Sequence, residues 1–133
     1  MLSFKSKLAV ITGAASGIGR ALALALGKEG AALALADINA QELNAVKEEL
    51  AQAGVTSVLS QVLDVADEAA WQDFAATVET QLGMADLLFN NAGISRIGRF
   101  EHTSSDAFAK VMDINYWGVV YGTRAFLPQI KLR

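Results

Sequence analysis

The sequence predicts an α/β protein in which a parallel β-sheet carries helices on both faces. Short apolar segments of strand length alternate four times with longer helix-forming segments along the 133 residues. Each connection between successive strands is long enough to hold a helix, as a parallel crossover requires. The first strand also leads directly into a glycine-rich turn, which is typical of doubly wound folds that bind ligands at their strand ends.

Composition indicates one domain over residues 1–133 and excludes several classes of protein. Hydrophobic residues make up 53% of the chain and charged residues 19%, which excludes a disordered protein. The net charge of −3 and the scattered basic residues give no reason to expect nucleic acid as a partner. No apolar run approaches the ~20 residues of a membrane span, and the apolar part of the opening segment is too short for a signal peptide. Since there is also no cysteine, we expect a cytoplasmic location.

The first strand and the first helix flank the glycine turn. Residues 8–11 are aliphatic without alternation, as expected for a strand that is buried on both faces. Gly13, Gly17 and Gly19 allow a sharp turn and the close approach of a bulky group, and the helix is predicted to begin at about Gly17. The unpaired N–H groups of a helix N-terminus favour a phosphate. A purely structural turn is the alternative.

Three more strands and three more helices follow in alternation. The strands are predicted over residues 31–36, 55–63 and 86–89, and the helices over residues 41–53, 68–82 and 104–127. The polar side chains of the third strand suit a position near the sheet edge. The predicted N-caps are Asn39, then Asp67 or Asp64, then Thr103 in a capping box with Asp106. The helices are predicted to end at Gly54, Gly83 and Pro128.

Asp37 ends the second strand, 18 residues after Gly19. A carboxylate at this position can accept hydrogen bonds from both ribose hydroxyls of an adenosine and repels a 2′-phosphate. Ser16, Ile18 and Ile38 provide no cation for such a phosphate, so the sequence favours NAD over NADP. A solvent-exposed acid at a strand end is the alternative.

The ends of the third and fourth strands carry further polar groups, which are expected at the same crevice. Asp64 can accept a hydrogen bond from an adenine amino group while Val65 packs on the ring; alternatively, Asp64 caps the next helix. Asn90 and Asn91 require partners, because an unsatisfied buried amide costs about 1–3 kcal/mol. They tie neighbouring loops together, contact the cofactor, or do both.

Taken together, these segments resemble the short-chain dehydrogenase/reductase family. The matching segments are Thr12-Gly-Ala-Ala-Ser-Gly-Ile-Gly19, Asp37, Asp64-Val65, Asn90-Asn-Ala-Gly93 and Asn115. They occur in the family's order and spacing over essentially the whole chain. The resemblance implies a Rossmann-type doubly wound parallel sheet with strand order 3-2-1-4.

The resemblance also implies a function for individual residues. The pyrophosphate would bind at the turn that contains Gly13, Ser16, Gly17, Ile18 and Gly19. Asp37 would hold the adenosine ribose, Asp64 and Val65 the adenine, and Asn91 and Gly93 the ribose on the nicotinamide side. Asn115 matches the family asparagine that supports a water in a proton relay; a polar residue satisfied within its helix is the alternative.

The chain differs from the family in length. Family members continue into a fifth strand with a catalytic serine and a helix with a Tyr-x-x-x-Lys pair, and this sequence contains neither segment. The residues four positions after Tyr116 and Tyr121 are Val120 and Ala125. His102 is the only histidine and has no apparent metal partners, so we expect no metal site.

We therefore interpret the sequence as the cofactor-binding portion of an NAD-dependent short-chain dehydrogenase that ends after about four strands and is inactive alone. Its parent reaction would be hydride transfer between NAD and a small-molecule alcohol or carbonyl compound. The alternatives are a non-catalytic NAD-binding or interaction protein and another doubly wound nucleotide binder, such as a methyltransferase. An open edge at the fourth strand and an uncovered long helix predict a homo-oligomer or a complementing chain. The residues expected to be exposed on that helix include Val111, Trp117, Val120 and Phe126.

Overall fold

The computed structural model describes residues 2–133, which form one four-stranded sheet between two layers of helices. The strands are β1 (Leu8–Thr12), β2 (Ala32–Asp37), β3 (Val58–Val62) and β4 (Leu87–Phe89). All neighbouring strands pair in parallel in the order β3-β2-β1-β4, which confirms the predicted fold class. The third strand lies at an edge as predicted, but it is shorter than the segment 55–63.

Five α-helices connect the strands or follow the sheet. They are α1 (Gly17–Lys28), α2 (Ala40–Gln52), α3 (Glu68–Leu82), α4 (Ser105–Met112) and α5 (Gly118–Lys131), with a 3₁₀ turn at Phe100–His102 before α4. No helix within residues 2–133 is both long and apolar enough to cross a membrane.

The helix caps follow the sequence closely but not completely. Asn39 caps α2 by accepting a hydrogen bond from the Glu42 N–H at 3.0 Å. Asp67, and not Asp64, caps α3 through the Ala70 N–H. The prediction of Thr103 as the cap of α4 was wrong, because the Ser104 side chain accepts the hydrogen bond from the Ala107 N–H.

The long last helix is interrupted and extends further than predicted. A π-helical turn, Asp113–Trp117, separates α4 from α5, and Pro128 lies inside α5 instead of ending it. Beyond Pro128, the buried Gln129 side chain accepts a hydrogen bond from the Ala85 N–H and donates one to the Ala75 carbonyl. These two tertiary bonds hold the helix in place where its local sequence favours an end.

Two apolar layers enclose the sheet, because successive strand residues point to opposite faces. Ile11 and Leu35 face α1 and α2, whereas Val10 and Ala34 face α3 and α5. In the second layer, Phe126 packs edge-on against the rings of Trp71 and Phe74. The prediction that Phe126 is exposed was therefore wrong: its exposure is 0%.

Candidate functional site

A crevice of about 400 Å³ lies along the carboxyl ends of the strands. Its wall contains most of the residues predicted from the sequence: Gly13, Ser16, Ile18, Asp37, Asp64, Val65, Asn91 and Gly93. The other three predicted residues, Gly17, Gly19 and Asn115, are not part of the wall. The fold thus brings together residues from positions 13 to 93 at the edge where doubly wound sheets bind ligands.

Glycine is needed at the three positions of the turn for different structural reasons. A Cβ on Gly19 would collide with the Gly13 carbonyl oxygen and lie 2.7 Å from the Asn91 amide nitrogen. Gly13 has φ +62° and is similarly close to Asn91. Gly17 has φ +53°, but a Cβ there would have no atom within 4 Å. Gly13 and Gly19 therefore permit close packing, whereas Gly17 provides the positive φ that the backbone adopts there.

Asn91 ties the end of β4 to the glycine turn. Its amide nitrogen donates hydrogen bonds to the carbonyl oxygens of Thr12 and Gly13, at 3.0 and 3.3 Å. The Thr12 hydroxyl in turn accepts hydrogen bonds from the backbone N–H groups of Asn91 and Ala92. Thr12 is 1% exposed and was not singled out from the sequence. The available signal was a hydroxyl at the end of an otherwise aliphatic strand.

Asp37 is half-buried and connects β2 to both neighbouring turns. One carboxylate oxygen accepts a hydrogen bond from the Ala15 N–H at 3.0 Å. The other accepts one from the Asn39 N–H at 2.9 Å. The carboxylate therefore has a structural contact with the glycine turn in addition to its place in the crevice wall.

Asp64 and Val65 lie at the crevice wall after β3. The exposed Asp64 side chain accepts a hydrogen bond from the Ala66 N–H, which leaves acceptor capacity for a ligand. Val65 is only 8% exposed, and its carbonyl accepts a hydrogen bond from the Trp71 indole. Close approach of Gly118 to the Val65 side chain places α5 directly behind it.

Asn115 lies in the π-turn, and both the oxygen and the nitrogen of its side-chain amide bond to the backbone of Ile94. Its oxygen accepts a hydrogen bond from the Ile94 N–H at 2.9 Å, and its nitrogen donates one to the Ile94 carbonyl at 2.7 Å. The side chain is therefore satisfied outside its own helix, and it fastens the π-turn to the loop that follows Gly93.

Asn90 points away from the crevice. Its amide nitrogen donates to the Thr123 hydroxyl at 3.2 Å, while its buried oxygen has no hydrogen-bond partner within residues 2–133. Gly122 makes room for this amide, because a Cβ there would lie 2.5 Å from the Asn90 oxygen. Both asparagine side chains tie neighbouring segments together, which is one of the roles expected for the pair.

Several apolar residues of the crevice were not predicted. They are Ile38, Leu63, Ala92, Ile94 and Ile114. Ile38 and Leu63 adjoin predicted acidic residues, which was the available signal. Ile114 offered none, because the π-turn that sets its orientation has no evident sequence marker. The wall carries the carboxylates of Asp37 and Asp64, and none of its residues is a lysine or an arginine.

Comparison with known proteins gives a consistent result. The chain matches the short chain dehydrogenase family over residues 7–133. It is 45% identical over 130 residues to the putative oxidoreductase SadH of Mycobacterium tuberculosis, covering 98% of this chain and 47% of SadH. It is 37% identical over 130 residues to an 11-beta-hydroxysteroid dehydrogenase of Pinus massoniana, covering 97% of this chain and 36% of that protein. The chain thus spans less than half the length of these relatives.

Solved structures of similar proteins contain either form of the cofactor. A short chain dehydrogenase/reductase from Burkholderia phymatum in complex with NAD superposes with a TM-score of 0.93 at 38% identity, over 98% of this chain and 46% of that one. An NADPH-bound short chain oxidoreductase from Pseudomonas aeruginosa superposes with a TM-score of 0.92 at 34% identity, over 98% of this chain and 52% of that one.

Proposed function

This chain belongs to the short-chain dehydrogenase family, and we propose that its crevice binds a nicotinamide dinucleotide, NAD in preference to NADP. The observation that carries the proposal is the convergence of the glycine turn, Asp37 and the segment after β3 on one crevice at the strand ends. The N-terminus of α1 beside the glycine turn offers N–H groups that suit a phosphate, and the crevice offers a carboxylate for an adenosine ribose.

We assign parts of the cofactor to parts of the crevice. The turn over Gly13, Ser16, Gly17, Ile18 and Gly19 holds the pyrophosphate. Asp37 accepts hydrogen bonds from the adenosine ribose, Asp64 and Val65 contact the adenine, and Asn91 and Gly93 lie by the ribose on the nicotinamide side. Asn91 contributes mainly by holding the glycine turn, since its amide nitrogen already donates to that turn.

The preference for NAD rests on charge. A 2′-phosphate on the adenosine ribose would lie against the Asp37 carboxylate, and Ser16, Ile18 and Ile38 offer no compensating cation. Like charges placed together at an interface cost enough to select between two ligands. Among the solved relatives both cofactor forms occur, so the choice depends on these local residues.

The reaction that this site serves is hydride transfer between NAD and a small-molecule alcohol or carbonyl compound. Bound NAD would supply the hydride acceptor, and a protein group must move the accompanying proton. The 133 residues contain no Tyr-x-x-x-Lys pair. We therefore expect cofactor binding without turnover.

Asn115 acts as a positioning residue that holds the loop after Gly93, because both ends of its side-chain amide bond to the Ile94 backbone.

Calorimetric titration of the 133-residue chain with NAD and with NADP tests the proposal. We expect NAD to bind about tenfold more tightly than NADP, because Asp37 opposes the 2′-phosphate. Equal affinities would contradict the cofactor preference, and no binding of either would contradict the site itself. A parallel assay follows NADH absorbance with alcohols as substrates. Turnover that is abolished by Tyr116→Phe or Tyr121→Phe would contradict the expectation that the chain is inactive alone.

A second candidate function, association with another chain, is supported by uncovered apolar surface. No residue of α4 is buried, and Phe108, Met112, Tyr116 and Trp117 are each 43–53% exposed. Within residues 2–133, β4 pairs with β1 on one side only. We propose that a second copy of the chain, or a complementing chain, covers these surfaces.

Sedimentation velocity over a range of protein concentrations tests this association. The paired substitution Phe108→Glu and Met112→Glu is expected to shift the population toward monomer, because it places charge on the apolar face of α4. Leu2→Glu, a charge at a 91% exposed leucine elsewhere, serves as the control. A chain that is monomeric at every concentration contradicts a second copy as the partner.

A further inference from the structure

The end of β2 holds the middle of the glycine turn through two consecutive backbone groups. The Ala14 N–H donates to the Ala36 carbonyl at 3.1 Å, and the Ala15 N–H donates to the Asp37 carboxylate at 3.0 Å. The same carboxylate accepts the Asn39 N–H, so Asp37 joins the glycine turn to the start of α2. A residue in the crevice wall is thus also part of the framework that shapes the turn.

The opposite side of the turn is held by Asn91. Its amide nitrogen donates to the carbonyl oxygens of Thr12 and Gly13, so the turn lies between one side chain from β2 and one from β4. The Ser16 side chain makes no capping hydrogen bond to α1. The geometry of the phosphate-facing N–H groups therefore depends on the two supports at the neighbouring strand ends.

The acceptor capacity of Asp37 permits both contacts at once. An ionised carboxylate offers about four lone-pair sites, and two are occupied by the N–H groups of Ala15 and Asn39. One site remains on each oxygen, which matches the two hydroxyls of a ribose. A carboxamide at this position has a single oxygen, so its NH₂ group would face one of the two backbone donors.

We propose that Asp37 is a positioning residue for the phosphate-binding turn as well as the ribose ligand. The inference rests on the proposed function, since it assumes that the turn binds pyrophosphate. Its consequence concerns cofactor choice. Neutralising Asp37 removes the repulsion of a 2′-phosphate but also loosens the turn that holds the pyrophosphate shared by both cofactors. Neutralisation alone therefore weakens NAD binding without conferring tight NADP binding.

Inorganic pyrophosphate separates the two contributions, because it has no ribose. If Asp37 acted only by charge, Asp37→Asn would strengthen pyrophosphate binding by removing a nearby negative charge. If Asp37 holds the turn, the same substitution is expected to weaken pyrophosphate binding about fivefold. The matched control is Asp73→Asn, which removes an exposed carboxylate of α3 that does not line the crevice. We expect the control to leave pyrophosphate affinity unchanged or to raise it.

Titration of the wild-type chain and both variants with pyrophosphate therefore distinguishes the two roles of Asp37. The deciding quantity is whether the pyrophosphate affinity rises or falls in Asp37→Asn. Asp37→Asn binding pyrophosphate as tightly as Asp73→Asn, or more tightly, overturns the proposal. Circular dichroism on each variant confirms that affinities are compared between folded chains.

Amide hydrogen exchange of the ligand-free wild-type chain provides a measurement that needs no variant. The Ala15 amide is expected to exchange more slowly than the Gly17 and Ile18 amides at the start of α1, and to lose this protection in Asp37→Asn. Fast exchange at Ala15 in the wild-type chain overturns the support of the turn by Asp37. A wild-type chain that binds neither NAD nor pyrophosphate but protects Ala15 overturns the proposed function, while the structural contact of Asp37 stands.

Discussion

The Thr12 side chain joins the turn after β1 to the segment after β4. Its hydroxyl accepts hydrogen bonds from the Asn91 and Ala92 N–H groups at 3.1 and 3.0 Å. The side chain is almost completely buried, so water cannot replace these bonds. The Thr12 hydroxyl therefore holds the backbone of Asn91 in place. The side-chain amide of Asn91 in turn holds the glycine turn.

Replacing Thr12 with valine tests the importance of that oxygen at nearly constant side-chain volume. We expect Thr12→Val to lower the free energy of unfolding by about 2 kcal/mol, because two buried N–H groups lose their acceptor. Urea unfolding followed by circular dichroism measures the change. Thr77→Val is the matched control, since the Thr77 hydroxyl bonds only to the Asp73 carbonyl of its own helix and its loss should cost less than about 0.5 kcal/mol. Equal losses in the two variants would contradict the interpretation.

At the scale of the element, the last helix shows how tertiary contacts override local sequence. The π-turn at Asp113–Trp117 brings Asn115 onto the Ile94 backbone and Gly118 onto Val65, which connects the helix to two sides of the crevice. Such turns are frequent at functional sites. Further along, the helix continues through Pro128 because Gln129 is bonded to backbone groups near α3 and β4.

Pro128→Ala tests whether the proline is a local cost that the tertiary contacts outweigh. A proline inside a helix lacks an N–H donor and crowds the preceding turn, at a cost of about 3 kcal/mol. Since Pro128 is exposed and lies inside α5, we expect alanine to raise the free energy of unfolding by about 1–2 kcal/mol. Thermal unfolding measures this gain. An unchanged or lower melting temperature would contradict the prediction that the proline costs stability.

At the scale of the whole molecule, Asp86 joins segments that are far apart in the sequence, at the end of the sheet opposite the crevice. Its carboxylate accepts hydrogen bonds from the Leu8 N–H at 2.8 Å and from the Arg133 guanidinium at 3.0 Å, with the Lys7 ammonium at 4.0 Å. Burial tends to raise the pKa of Asp86, but the bonds and charges from Arg133, Leu8 and Lys7 outweigh it and hold the pKa below its usual value of 3.8.

This lowered pKa predicts the pH dependence of stability. A carboxyl whose pKa is lower in the folded chain stabilises it fully above the unfolded value and loses that contribution as the pH falls through the folded pKa. We therefore expect Asp86→Asn to reduce stability at neutral pH and to flatten the loss of stability below about pH 4. Urea unfolding at a series of pH values measures both effects. Asp73→Asn, at an exposed carboxylate of α3, is the control; an Asp86→Asn curve parallel to the wild type would contradict the prediction.

Most elements and most of the crevice could be predicted, because both depend on short-range patterns. The alternation of apolar segments, the glycine turn and the polar residues after β2, β3 and β4 are visible in the chain itself. The rule that parallel strands present their carboxyl ends at one edge then brings Asp37, Asp64 and Asn91 to the same crevice. The same residues carried the resemblance to the family, and the strand order followed from that resemblance.

What the sequence by itself determined is therefore the order of the elements and the kind of groups at their ends. Only the tertiary structure decided which groups those ends bond to. The contacts of Asp37 with Ala15, of Asn115 with Ile94 and of Gln129 with Ala75 and Ala85 join residues that lie 21 or more positions apart, with no local periodicity to signal them. The same holds for the π-turn and for the passage of α5 through Pro128. The physical reason is that these amide and carboxylate groups bond to whatever backbone the fold brings near, and the buried Gln129 amide must do so.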